Sequence, residues 1–249
     1  MILYFSATGN SRHVAKQLAK DGERLISMPD AIDKGIYEYD VEPNENVGII
    51  SPTYNWTIPS IVEEFLQKLR LNYDRKPYIY YVGTFGTTTG AAAAMANRYM
   101  KAKDCPFDAM FDVKMPDTWT PIYDLSDKEH VKEINRQADV QIQELKKQIA
   151  GKATGKHMHL TTPYVAGVIG KQIYDTKTRC TSNLTVEDSC VGCGLCAKKC
   201  PVHAIEMQGK RPVWVKDKCT MCLGCLHRCP KFAIQCGAKT KAHGQYQHK

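Results

Sequence analysis

Apolar and polar positions along the first 150 residues follow two alternating periods. Near-continuous apolar runs at 2–5, 47–51, 78–83 and 107–115 read as strands buried on both faces. Between them the apolar spacing widens to three and four residues. Val14, Ala15, Leu18 and Ala19 recur within 11–20, and Ile61, Val62, Phe65, Leu66 and Leu69 recur in a helix from Pro59. An alanine-rich helix at 90–101 and a long charged one at 127–149 follow, and a short strand near 24–28 completes five. Strands alternating with helices predict an α/β domain on a parallel sheet.

Beyond residue 150 this pattern stops and the chemistry changes. Of eleven cysteines only Cys105 lies in 1–150, and the other ten follow. Charge divides at the same place, −3 for residues 1–150 and +11 for 151–249 within a total of +8. We therefore expect a domain at 1–150, a partly helical linker at 151–181, a second domain at 182–238 and a polar, basic, disordered tail at 239–249. Within the linker, 164–174 reads as a short apolar helix able to dock the two domains. No apolar run approaches the ~20 residues of a membrane span. The opening residues lack the marks of a signal peptide, so the expected location is cytoplasmic, where clustered cysteines mean metal rather than disulfides.

Cys190, Cys193, Cys196 and Cys200 precede Pro201, and Cys219, Cys222, Cys225 and Cys229 precede Pro230. Both runs read C-x2-C-x2-C-x3-C-P, an internal repeat that predicts a pseudo-twofold unit holding two [4Fe–4S] clusters. Three cysteines at this spacing wrap one cubane, and the fourth, beyond reach across the proline turn, crosses to the other. One ligand set is then Cys190, Cys193, Cys196 and Cys229; the other is Cys200, Cys219, Cys222 and Cys225. Structural zinc is the competing reading, but it favours two C-x2-C knuckles separated by a longer loop. Cys236 and Cys105 read as packed core residues, and Cys180 has no assigned role.

Three strand-to-helix turns lie at one edge of the expected sheet, where open α/β folds bind ligands. In the first, Ser6, Thr8, Gly9, Asn10 and Ser11 combine hydroxyls, a glycine and a helix start into a nest for a phosphate monoester; a plain helix cap is the alternative. The second brings Thr53, Tyr54, Asn55 and Trp56, which suit stacking on a planar ring or ordinary packing. The third brings Thr84, Phe85 and Gly86, with no acidic residue through Gly90. The segment 115–123 reads as a plain connector, although it follows a strand and could reach the same edge.

Together the three turns resemble those of flavodoxins. With the cysteine repeat, the chain resembles flavodoxin–ferredoxin fusion proteins of anaerobic bacteria and archaea. That resemblance implies a doubly wound parallel five-stranded sheet followed by a small α+β two-cluster ferredoxin domain. It also implies FMN held by the twelve turn residues just named. The implied function is electron transfer between low-potential redox partners, and the alternative is an FMN-dependent reductase of a small substrate fed by its own clusters. The basic second half leads us to expect redox proteins with acidic docking surfaces. No nucleic-acid motif accompanies the lysines and arginines.

Overall fold

Strands that are apolar throughout need cover on both faces, and the sheet has it. The computed structural model describes residues 1–248. The first half runs β1 (Ile2–Tyr4), α1 (Asn10–Leu18), β2 (Leu25–Ser27), α2 (Met28–Asp33), β3 (Glu38–Asp40), β4 (Val47–Pro52) and α3 (Ser60–Lys68). It continues through β5 (Arg70–Asn72), β6 (Ile79–Phe85), α4 (Ala92–Lys101), β7 (Ala109–Lys114) and α5 (Lys128–Ala150). Leu3, Phe5, Ile49, Ile79 and Tyr81 face α3 and α4, packing on Val62, Phe65, Leu66 and Ala96. Their neighbours Ile2, Ile50, Tyr80, Val82 and Phe111 face α1 and α5, packing on Val14, Leu18, Ile142 and Leu145. Each such side chain contributes roughly 1.5–3 kcal/mol by leaving water.

Six strands form the sheet, where the apolar pattern predicts five. The order is β2-β1-β4-β6-β7-β8, all neighbours parallel, with β8 (Gly155–His157) added from the expected linker. Gly155, Lys156 and His157 are exposed and carry no apolar alternation, so backbone pairing with β7, with the His157 ring stacked on Phe111, places them. A short, charged strand is what an open sheet edge tolerates. Strands β3 and β5 form a separate parallel pair.

The linker then becomes α6 (Tyr164–Ile173), docked on the first half. A Cβ at Gly167 would overlap Ala91, and one at Gly170 would overlap the Asn55 carbonyl. Tyr174, buried just beyond, donates its hydroxyl to the Thr220 carbonyl at 2.7 Å and accepts from the Ser60 N–H at 3.4 Å.

The second half comprises β9 (Leu184–Val186), α7 (Leu195–Lys198), β10 (Ile205–Gln208), β11 (Arg211–Trp214), α8 (Gly224–Arg228) and β12 (Ile234–Cys236). Strands β9 and β12 pair antiparallel, as do β10 and β11. Leu184, Met221, Leu223, Leu226 and Ile234 form its small core.

Residues 239–248 are ordered, contrary to the expectation of disorder. Helix α9 (Thr240–His243) leads to Tyr246, which is buried against Leu125 and Val131. Its hydroxyl proton is shared between Asn10 Oδ1 at 2.8 Å and Asn135 Oδ1 at 3.0 Å. The His248 N–H reaches the Thr8 carbonyl at 2.8 Å. Composition pointed to disorder because one aromatic anchor among polar residues leaves no periodic signal.

Candidate functional site

Turns that leave parallel strands gather at one sheet edge, and here they open a cleft of about 250 Å³. Ser6, Thr8, Asn10 and Ser11 line it from the first turn, Thr53, Tyr54, Asn55 and Trp56 from the second, and Thr84, Phe85 and Gly86 from the third. Gly9, at φ 103°, makes the left-handed bend that starts α1, and does not itself line the cleft.

Hydrogen bonds set what each turn offers. Ser6 Oγ accepts from the Gly9 N–H at 3.2 Å, and Ser11 and Thr84 share a hydroxyl–hydroxyl bond of 2.8 Å between the first and third turns. The Asn10 side chain is committed elsewhere. Its Nδ2 donates to the Pro116 carbonyl at 3.1 Å while its Oδ1 accepts from Tyr246. Helix α1 has no side-chain cap and no acid in its first turn, which leaves its N-terminal end suited to an anion. Thr53 Oγ1 is buried with no hydrogen-bond partner among the described residues. A polar atom in that state costs free energy until something bonds it, and here it borders the cleft. These features fit a phosphate-bearing, partly polar ligand.

In the second turn Asn55 and Trp56 both have positive φ, 46° and 65°. Such a bend is costly without glycine and is held by outside contacts. The Trp56 carbonyl accepts from the Ala91 N–H at 2.8 Å, and α6 presses on the same turn through Gly170.

Residues 115–123 are not a plain connector. Met115, Pro116, Asp117, Thr118, Trp119, Ile122 and Tyr123 form a further wall of the cleft. The Thr87 and Tyr123 hydroxyls share a 3.2 Å bond across it. The signal for this wall was position alone: a long segment leaving a strand's carboxyl end. Tyr174 and Thr178 from the linker, and Met221, Cys222 and Leu223 from the second half, also line the cleft. No local pattern could announce those.

Two smaller cavities lie in the second half. Cys190, Cys193, Cys196 and Cys229 line one, and Cys200, Cys219, Cys222 and Cys225 line the other. Each therefore draws three thiols from one run and one from the other. Val191, Leu195 and Ile234 keep the first apolar, and Leu184, Ile205 and Leu223 the second. Among the described residues no three His, Cys, Asp or Glu side chains converge as a site for a single metal ion. The thiols instead stand around a space, which fits a polynuclear centre. Backbone N–H groups of Met221, Ala204 and Ala233 point at Cys219, Cys200 and Cys229 Sγ at 3.1, 3.3 and 3.3 Å. Burial pushes the Cys219 thiol up to about 11 and Cys222 up to about 12. Their thiolates need a bound cation, which deprotonates a coordinating thiol outright. Cys105, Cys180 and Cys236 line neither cavity.

Cys222 borders both the second thiol cavity and the large cleft. Beside it the Arg228 guanidinium donates to the Ala7 carbonyl of the first turn, tying the two halves at that point.

Residues 1–143 match the family model described as a flavodoxin domain, and residues 183–230 match that of a 4Fe-4S dicluster domain. A search of curated proteins finds no match. Among solved structures the chain is similar to rubredoxin oxygen:oxidoreductase from the anaerobe Desulfovibrio gigas, at 18% identity and a TM-score of 0.33. That match covers 57% of this chain and 35% of the other.

Proposed function

Because the chain belongs to the flavodoxin family and joins to it a 4Fe-4S dicluster domain, with FMN and [4Fe–4S] clusters as its cofactors, we propose that it carries electrons between low-potential redox proteins. When bound, a cubane exchanges one electron at a time and FMN one or two. In this reading residues 1–150 hold FMN and residues 182–238 hold the clusters, with 151–181 as the linker. The backbone of the first turn with Ser6, Thr8, Gly9, Asn10 and Ser11 receives the phosphate. Thr53, Tyr54, Asn55, Trp56, Thr84, Phe85 and Gly86 receive the ring.

The observation that carries the proposal is Cys222. One thiol serving as cluster ligand and as cleft wall leaves no intervening protein layer between the two cofactors' sites. The other thiol cavity lies away from the cleft and is rimmed by exposed charge. Lys231 lines it, and Lys198, Lys199 and Lys210 are exposed nearby in sequence. None of the four forms an ion pair among the described residues, so they are free to meet an acidic partner. Arg211 and Arg228, also basic residues near the cysteine runs, are committed inside the chain, to Asp188 at 3.3 Å and to the Ala7 carbonyl.

Iron, sulfide and flavin analysis of anaerobically purified protein tests the reading. About eight irons, eight sulfides and one FMN per chain are expected. Cys200→Ala should deplete the cluster of Cys219, Cys222 and Cys225, while Cys236→Ala retains all iron. Equal iron loss in the two variants would refute the ligand sets. A second reading, reduction of a small substrate at the flavin, is favoured by the wall at 115–123, where exposed Ile122 and half-buried Tyr123 stand at the cleft. Steady turnover of a small acceptor without any protein partner would support it.

A further inference from the structure

Asp117 lines the cleft and is largely shielded from water, yet no Lys, Arg or His pairs with it among the described residues. Oδ1 accepts from the Trp119 N–H at 3.0 Å. Oδ2 lies against Gly86, where any Cβ would overlap it. The third turn has no acid of its own from Thr84 to Gly90, so the 115–123 wall delivers one to that turn from outside. Tyr54 faces Asp117 from the second turn, and burial pushes its phenol far above the usual range, so it stays neutral. Tyr123 stands on the same wall, Cys222 lines the cleft from the second half, and Arg228 acts on Tyr54 from there. Arg228 is engaged by Ala7, and His227, bonded to the Thr118 carbonyl, is held neutral because burial lowers it to about 4. No cation is therefore paired with Asp117 among the described residues, and burial pushes its carboxyl up, against the Trp119 N–H bond that lowers it.

We propose that Asp117 takes up a proton when the cofactor of this cleft gains an electron, so that reduction adds no net charge to the cleft. The inference rests on the cleft's being the FMN site. An electron delivered beside an unpaired, half-buried carboxylate repels it and raises its proton affinity. A cluster loses that electron as the flavin gains it. The proton comes from the buffered solvent, and a new O–H bond forms at Oδ2, the oxygen that lacks a backbone partner among the described residues.

The test is reduced-minus-oxidised infrared difference spectroscopy of the holoprotein, with FMN content measured on the same samples. In the wild type a carboxylic-acid C=O band should grow as the flavin's visible absorption bleaches, and it should shift in D₂O. In D117N the band should be absent, and the dependence of the flavin midpoint potential on pH should be shallower. D117S, a smaller replacement, asks the same question if D117N fails to retain FMN. FMN present but no carboxyl band in the wild type, or a band that survives in both variants, overturns the proton role. Wild-type protein without FMN overturns the cleft reading itself, so the two failures are distinguishable.

Discussion

Glu45 is bonded to three partners brought together by the start of the fold. It accepts from Arg24 at 2.7 Å, from the Met1 amino group at 2.8 Å and from the Glu42 N–H at 3.0 Å. Burial alone would push its carboxyl up, but these bonds outweigh burial and hold it at about 2. A depressed carboxylate contributes stability that is complete above its unfolded value, near 4.3, and is lost as pH falls through the folded value. Glu45→Gln should therefore cost about 1–2 kcal/mol at pH 7, after discounting for solvent screening. The difference from wild type should shrink between pH 4.5 and about 2, as read by urea melts across that range. At this scale the cysteines were the most legible part of the chain, because their spacing is local. Asp117 and Tyr246 were not, since each matters through a partner distant in sequence: Gly86 for the one, Asn10 for the other.

Helix α6 shows why some elements can be read from sequence and their roles cannot. Its apolar composition marked it as a helix, but its docking depends on two small residues, Gly167 and Gly170, one turn apart. They bring the α6 backbone against Ala91 and against the Asn55–Trp56 turn. Gly170→Val would drive a branched side chain into the Asn55 carbonyl, and overpacking of this kind costs roughly 1–3 kcal/mol. Because that carbonyl belongs to the cleft's second turn, the variant should also weaken FMN binding. A flavin titration beside a thermal melt separates the two effects, and unchanged affinity in a destabilised protein would detach α6 from the cleft. Strand β8 was illegible for the opposite reason: three exposed residues owe their conformation to β7 and have no pattern of their own. The wall at 115–123 had no periodicity either, and only the end of the strand it leaves hinted at its destination.

Charge acts on the whole molecule. The second half is strongly basic, and one of its free lysines, Lys231, lines the thiol cavity remote from the cleft. If that face meets acidic partners, association should slow as salt rises, because the screening length falls from ~10 Å at 0.1 M to ~3 Å at 1 M. Stopped-flow reduction by an acidic redox protein should show this dependence, and Lys198→Glu/Lys199→Glu should weaken it. Electron transfer within the chain should respond far less, since its halves are already joined. Indifference of the external rate to both salt and charge reversal would return these lysines to plain solvated surface. The charge division was visible in the sequence, but the withdrawal of Arg211 and Arg228 from it was not, since both partners are set by the fold.

The bond from His248 to Thr8, with Tyr246 on Asn10 close by, makes the chain topologically a ring closed by non-covalent links. A ring opened at one place stays in one piece. The exposed turn at 151–154, just before β8, is an inviting place for a protease. Cleavage there would separate the covalent halves but leave Tyr174 bonded at Ser60, Arg228 at Ala7 and Tyr246 at Asn10. The nicked molecule would run as two fragments under denaturing conditions and as a single particle in native buffer.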